Sequence, residues 1–386
     1  WQQFHREGES LGSGFYQATH KTNAGEKYNE KPYSWATENF IVSFFGRANY
    51  SLLDRYLLTA TVRYDGSSRF KDHWALFPSV AFGWRIKEEA FLKDVDMMSD
   101  LKLRLGYGQT GQQEGIGDYN YFASFHSNPN SDYYYSVVDA GKDGVGAMYR
   151  PNAYNPDLTW ETTTTYNVGL DFGFLNQRIN GSIDYYLRKT TDLINTVSVP
   201  VGTNFKNKVT SNIGSLENTG IEIAVTGKVI STSDVVWELG ANYTYNDNEI
   251  TELIGDDDYY VETGGISAGT GSNCQAHMKG HSINSFLVYQ QAYDKDGKML
   301  EGVVVDRNGD NIINEADKYI YKQAAAPITF GFTSKLVFNN IDFSFSLRSS
   351  IGNYVYNDVS SDRANVSGST MWLSGYLTNT IKEAVE

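Results

Sequence analysis

The sequence is short of most features that mark secreted disulfide-rich, helical or nucleic-acid-binding proteins. One cysteine, Cys274, stands among 386 residues, so no intramolecular disulfide can form. No run of about 18 apolar residues occurs, which excludes a transmembrane helix. Positive charge is scarce: 32 Lys and Arg face 46 Asp and Glu for a net charge of −14, which argues against binding nucleic acid through its phosphates. The 6 His are scattered, and there is no Gly-x-Ser-x-Gly elbow and no His-Glu-x-x-His helix, so no catalytic constellation emerges and the chain is not expected to be an enzyme. His126, at the edge of a long connection, is the single position at which a barrel-embedded hydrolase would be sought. Low-complexity linkers and long charge runs are missing too, and residues 1–386 read as one unit. No charged, apolar and small-residue succession follows Trp1, so an export signal is expected outside this sequence.

What is abundant is aromatic residue and glycine, with 28 Tyr, 20 Phe and 36 Gly, at the expense of good helix formers. These residues fall into a two-residue alternation repeated in segments of roughly ten residues. In Tyr166-Asn-Val168-Gly-Leu170-Asp-Phe172-Gly-Phe174 each second residue is apolar and each intervening one is polar or glycine. The same holds for Trp237-Glu-Leu239-Gly-Ala241-Asn-Tyr243-Thr-Tyr245 and for Ile341-Asp-Phe343-Ser-Phe345-Ser-Leu347. Such segments are strands with one apolar and one wet face. They are expected near 41–50, 56–64, 79–87, 101–109, 162–174, 179–188, 219–227, 236–246, 328–338 and 341–349.

The connections sort by side. Ser51 to Arg55, Leu175 to Arg178 and Asn339-Asn340 are tight, and the longest on that side runs from Glu88 to Asp100. The long ones, 110–161, 189–218 and 247–327, all fall on the other side. A soluble sandwich or propeller alternates too, yet nothing in its physics sorts loops this way, whereas an outer-membrane barrel has short periplasmic turns and long external loops. Aromatics at strand ends, among them Tyr50, Tyr56, Tyr64, Trp84, Tyr107, Tyr185, Trp237 and Tyr245, suit interfacial girdles. Arg63, Arg85, Arg104, Asp171, Asp184 and Arg348 fall on the polar face and suit a watery lumen. The expected fold is therefore all-β, an antiparallel transmembrane β-barrel with long extracellular loops. A mean hydropathy of −0.43 does not contradict this, because only alternate strand residues meet lipid.

Specific blocks carry a family resemblance. Phe45-Gly-Arg47-Ala-Asn-Tyr50, Asp54-Arg-Tyr-Leu-Leu-Thr-Ala60, Arg63-Tyr-Asp65-Gly-Ser-Ser-Arg69-Phe70 and Phe77-Pro-Ser79 resemble the SusC/RagA family of TonB-dependent transporters. So do Leu101-Lys-Leu-Arg-Leu-Gly-Tyr-Gly-Gln-Thr-Gly111, Asn155-Pro-Asp-Leu-Thr-Trp160-Glu161, Asn212-Ile-Gly-Ser-Leu-Glu-Asn218-Thr-Gly220-Ile-Glu222 and Asp306-Arg-Asn-Gly-Asp310. The resemblance covers most of residues 41–358. It implies a barrel of about 22 strands, plugged by an N-terminal domain, in the outer membrane of a Bacteroidota-type bacterium. It also implies import of oligosaccharides, or alternatively peptides, with a SusD-like surface lipoprotein and the TonB complex as partners. With about ten strands and no TonB box, plug or closing strands, residues 1–386 are expected to be a partial barrel. A soluble or surface carbohydrate-binding β-protein is the rival reading.

The best chemical motif runs from Asp306 to Asp317. Asp306, Asn308 and Asp310 occupy positions 1, 3 and 5 of a wrapped Ca²⁺ loop, Ile312 supplies the carbonyl at 7, and Asp317 the carboxylate at 12. Asn311 stands where such loops carry Gly, and Asn tolerates positive φ. The alternative is an Asp/Asn/Gly-rich turn without metal. Tyr119, Tyr121, Tyr133, Tyr134 and Tyr135, with Tyr259 and Tyr260, place stacking faces and hydroxyls in the loops and are candidate glycan contacts, against plain loop packing as the competing reading. Three patterns are weaker. Gly106, Gly108 and Gly111 match a dinucleotide fingerprint but cannot open a helix; Cys274, His277 and His281 lack a fourth zinc ligand; Asp256 to Asp258 reads as a solvated loop tip.

Overall fold

The computed structural model describes residues 2–10, 33–127, 135–136, 148–200, 202–204, 206–254, 259–266 and 273–359, with backbone alone for 2–10, 33–37, 125–127, 135–136, 148–151 and 301. One antiparallel sheet of eleven strands organises them. Its strands are β1 (Gln2–Ser10), β2 (Tyr33–Leu52), β3 (Tyr56–Ser67), β4 (Trp74–Arg85), β5 (Met98–Gln112) and β6 (Glu161–Phe174). They continue as β7 (Ile179–Thr191), β8 (Ser215–Ser231), β9 (Val235–Glu252), β10 (Ile328–Phe338) and β11 (Ile341–Ile351). Each pairs with its neighbour in sequence, so the sheet is a plain up-and-down meander.

All ten strands expected from the alternation are present, as β2 to β11. Several outrun their apolar segment: β2 has 20 residues and β9 has 18. About 9–11 tilted residues cross a hydrocarbon core, so the polar remainder projects beyond it. Strand β1 went unforeseen because Gln-Gln-Phe-His-Arg-Glu-Gly-Glu-Ser is polar on both faces. It pairs with Tyr33 to Ile41, the projecting part of β2.

Register decides which side chains share a face. Tyr50, Leu58, Phe82, Leu105 and Val168 align across β2 to β6, and Tyr185, Ile221, Tyr245, Ile328 and Ile351 carry the row on to β11. Every member is apolar or aromatic. One residue along, on the opposite face, Asn49, Thr59, Ala81, Gly106, Asn167, Tyr186, Gly220 and Asn246 align instead. The apolar face stays open to its surroundings, with Phe44 and Phe343 each 62% exposed, as befits a surface that lipid covers.

The expected charged residues all map to the wet face. Arg104 spans two strands there: its Nη2 donates to Asp171 Oδ1 at 2.8 Å and to Asp184 Oδ2 at 2.9 Å. The short turns, 53–55, 86–97, 175–178, 232–234 and 339–340, share one rim. Leu175, Asn176 and Gln177 take φ of 53°, 53° and 64°, and Asn339 takes 48°. At this rim Glu89 anchors the aromatic girdle, accepting from the Tyr56 hydroxyl at 2.7 Å and the Trp84 indole at 3.0 Å. The long connections, 113–160, 192–214 and 253–327, leave the opposite rim together, and the last carries a four-stranded sheet of its own.

Candidate functional site

The connections above the long-loop rim pack on one another. Phe70, Phe77, Ile116, Leu158 and Trp160 form a buried cluster that joins the wall to the connection after β5, and Ile194 packs on it. Ile194 begins a hairpin, Ile194–Ser198 paired with Lys208–Asn212, inside the connection between β7 and β8. Polar side chains stitch hairpin to loop. Asn155 Nδ2 donates to Thr210 O at 3.1 Å and Ser211 Oγ at 3.2 Å, and Asn212 holds Thr159 by both its N–H and its C=O. Glu161 accepts from the Ile194 amide at 3.2 Å. The blocks around Asn155 to Glu161 and at Asn212 are thus the clamps of the loop assembly.

Between the clamped pieces lies a cavity of about 300 Å³. Cross-strand pairing puts Thr196 beside Thr210, and these two with Lys208 and Val209 line it from the hairpin, while Val197 and Val209 are buried. Asn120, Ser124, Asn152 and Tyr154 form the facing wall, and Lys206 completes the rim. Tyr119 also lines it, at a φ of 71° that a bulky residue seldom adopts, with its hydroxyl accepting from the Glu38 amide at 3.1 Å. Asp118 beside it is neutralised: Arg69 Nε donates to it at 2.9 Å and Asn39 Nδ2 at 3.1 Å. The buried face of the hairpin borders a second cavity of about 530 Å³, where Tyr154, Ile254 and Tyr259 add apolar wall.

Of the candidate glycan contacts, Tyr119 is brought to the cavity and Tyr121 is not: it packs edge-on against His73 and Phe122. Tyr133 and Tyr134 lie outside the described residues, as does Asp256 to Asp258; Tyr135 and His126 are described by backbone alone. Tyr259 lines the second cavity, and burial pushes the Tyr260 hydroxyl up from its usual range. Asn120, Thr196, Lys208 and Thr210 were not foreseen. Only Thr196 has a sequence signal, the short alternation Ile194-Asn-Thr196-Val-Ser198 within a segment that otherwise reads as loop.

The Asp306 to Asp317 loop closes on its own backbone. Asp306 accepts from the amides of Gly309 and Asn311, each at 2.7 Å, and Asp310 from that of Ile312 at 2.7 Å. Asn311 takes a φ of 64°, the conformation its position demands. Asp317 is fully buried and accepts from Arg307 and Asn314 at 2.8 and 2.9 Å. These amides, Asn314 foremost, hold its carboxyl below the usual carboxylate range. Among the described residues no three His, Cys, Asp or Glu side chains converge as a metal site. Cys274 and His277 fall on opposite faces of the strand Asn273–Met278: the thiol, raised by burial, points to Gly264 O at 3.3 Å, and the imidazole Nε2 meets Asn284 Oδ1 at 3.0 Å. Gly106, Gly108 and Gly111 lie within β5, which opens no helix.

A family model described as "TonB dependent receptor-like, beta-barrel" matches residues 1–381. The whole chain is 52% identical to the TonB-dependent receptor SusC of Bacteroides thetaiotaomicron, of which it spans 38%. It is 32% identical, over 84% of its length, to the TonB-dependent receptor P39 of Formosa agariphila and spans 34% of that protein. The structure of the RagAB peptide transporter superposes with a TM-score of 0.71 at 26% identity, covering 94% of this chain and 39% of that one.

Proposed function

Because the chain belongs to the TonB-dependent receptor β-barrel family, we propose that its sheet is part of the wall of an importer that carries oligosaccharides across the outer membrane. Its place in that membrane follows from the family and from the two-faced sheet. The observation that carries the transport reading is the match to SusC over the whole chain, joined to a polar wall that opens upward into hydroxyl- and amide-lined loops. Such groups, with a tyrosine face beside them, suit a polyhydroxylated cargo. No step of chemistry on the cargo is part of this reading.

A SusD-like surface lipoprotein over the long loops and the TonB complex across the periplasm are the proposed partners. Peptide import is the second reading, favoured by the likeness to the RagAB peptide transporter. Uptake of labelled oligosaccharides and peptides by cells carrying the full-length gene, compared with a deletion, decides between them. Loss of oligosaccharide uptake with surface binding retained supports the first; loss of peptide uptake alone supports the second; unchanged uptake of both overturns transport. Calcium in the Asp306 to Asp317 loop is a separate proposal, supported by the spacing of Asp306, Asn308, Asp310, Ile312 and Asp317 and by the turn at Asn311.

A further inference from the structure

The cavity between the hairpin and the facing loop has more polar groups than the described residues around it use. The Asn120 amide, the hydroxyls of Thr196 and Thr210 and the ammonium groups of Lys206 and Lys208 border it. None of these five side chains has a side-chain hydrogen-bond or carboxylate partner among the described residues. The cavity is open to solvent on one side, with Thr196 and Lys208 exposed, so these groups are free to exchange water for a ligand that enters. A volume of about 300 Å³ lies at the small end of ligand pockets and suits one ring of a chain rather than a folded polymer.

Charge narrows the class. The protein carries a net charge of −14 and repels anions as a whole. Against that background two lysines two residues apart border one cavity, and among the described residues the only carboxylate lining it, Asp118, is already paired with Arg69. The two ammonium groups therefore favour an anion at this cavity. Alternation in the hairpin places Lys208 on the same face as Thr196 and Thr210, so hydroxyl donors and the cation address one ligand together.

We infer that this cavity is a subsite for a sugar residue bearing an anionic substituent, with Lys206 and Lys208 on the anion and Asn120, Thr196 and Thr210 on the ring hydroxyls. The inference rests on the oligosaccharide-importer reading and specifies its cargo. A carboxylate and a sulfate ester share the chemistry that recognises them here.

The test uses the full-length receptor in detergent and three probes of equal chain length: an oligogalacturonate, a sulfated galactan oligosaccharide and a neutral gluco-oligosaccharide. Calorimetry is expected to show binding of an acidic probe that weakens with salt. Lys206→Gln with Lys208→Gln is expected to weaken it about tenfold, the loss of a hydrogen bond to a charged group. Lys208→Arg, which keeps the charge, should retain binding and shows that a loss is not misfolding. Binding of the uronate alone assigns a carboxylate, and of the sulfated probe alone an ester. Neutral binding as tight as acidic, an acidic affinity unmoved by the double variant, or no binding of any probe overturns the subsite. Uptake by a deletion strain reads the importer itself, so the two can fail separately.

Discussion

Asp317 shows how a single carboxylate closes a long loop. Its two oxygens take amides from both ends of the 306–317 segment, and Asn314 caps the adjoining helical turn in return. Because the folded pKa is depressed, its contribution is complete above the unfolded value, about 3.9, and is lost as pH falls through the lower folded one. Asp317→Asn removes that contribution at neutral pH. Hydrogen exchange should then quicken at the amides of Arg307 and Asn314, and acidification should do the same to the native loop. The calcium proposal is read at the same place. Added calcium should slow exchange across the loop, and Asp306→Ala with Asp310→Ala should abolish both that effect and bound metal; if neither bound calcium nor thermal stability changes, calcium is excluded. Spacing made these oxygen donors legible, but a side chain's choice between metal and backbone amide is a matter of geometry that spacing does not encode. Gly169 is a second such point. A Cβ there would meet Arg104 Cζ and Nη2 at 2.7 Å and crowd Asp184, so Gly169→Ala must displace a partly exposed ion pair and should destabilise the wall by about 1 kcal/mol or less in denaturant unfolding of the full-length barrel.

At the scale of elements, what could be read from the chain tracks the environment that shaped it. Strands β2 to β11 were legible because lipid on one side and water on the other impose a period of two on every membrane-crossing residue. Strand β1 and the upper part of β2 project beyond the lipid-facing rows, Asn39 there being buried against the loop after β5, and nothing imposes alternation on them. The hairpin Ile194–Ser198 with Lys208–Asn212 was hidden for a related reason: it is short, and only Val197 and Val209 mark its buried face. Its position depends on the side chains that stitch it, which no local pattern announces. Asn212 is one of the two most connected of these, bonding Thr159 N, Thr159 O and Asp192 O at 2.8 to 2.9 Å. Asn212→Ala should release the hairpin, seen as faster exchange over Ile194 to Ser198, while β7 and β8 stay protected. Unchanged protection of the hairpin would show that the Ile194 contact with the buried cluster suffices to hold it.

For the whole molecule, the decisive property is that one sheet presents two unlike surfaces to two unlike solvents. Neighbouring residues on β6 put this to the test with the least change elsewhere. Val168 is 47% exposed on the apolar row, and Asn167, one residue away, faces the wet side where its amide reaches Asp184 at 3.5 Å. An arginine at position 168 must place its guanidinium in hydrocarbon near mid-strand, which costs about 2–4 kcal/mol in a barrel wall. At position 167 the same side chain enters water beside the Asp171 and Asp184 carboxylates, and an added cation there opposes no desolvation. Val168→Arg in the full-length chain should therefore shift the denaturant midpoint for folding into bilayers markedly downward, while Asn167→Arg leaves it nearly in place. A sheet with water on both faces would show no such difference between adjacent positions. Equal midpoints for the two variants would mean that the apolar row meets water rather than the membrane, and the importer reading would lose its physical basis together with the barrel.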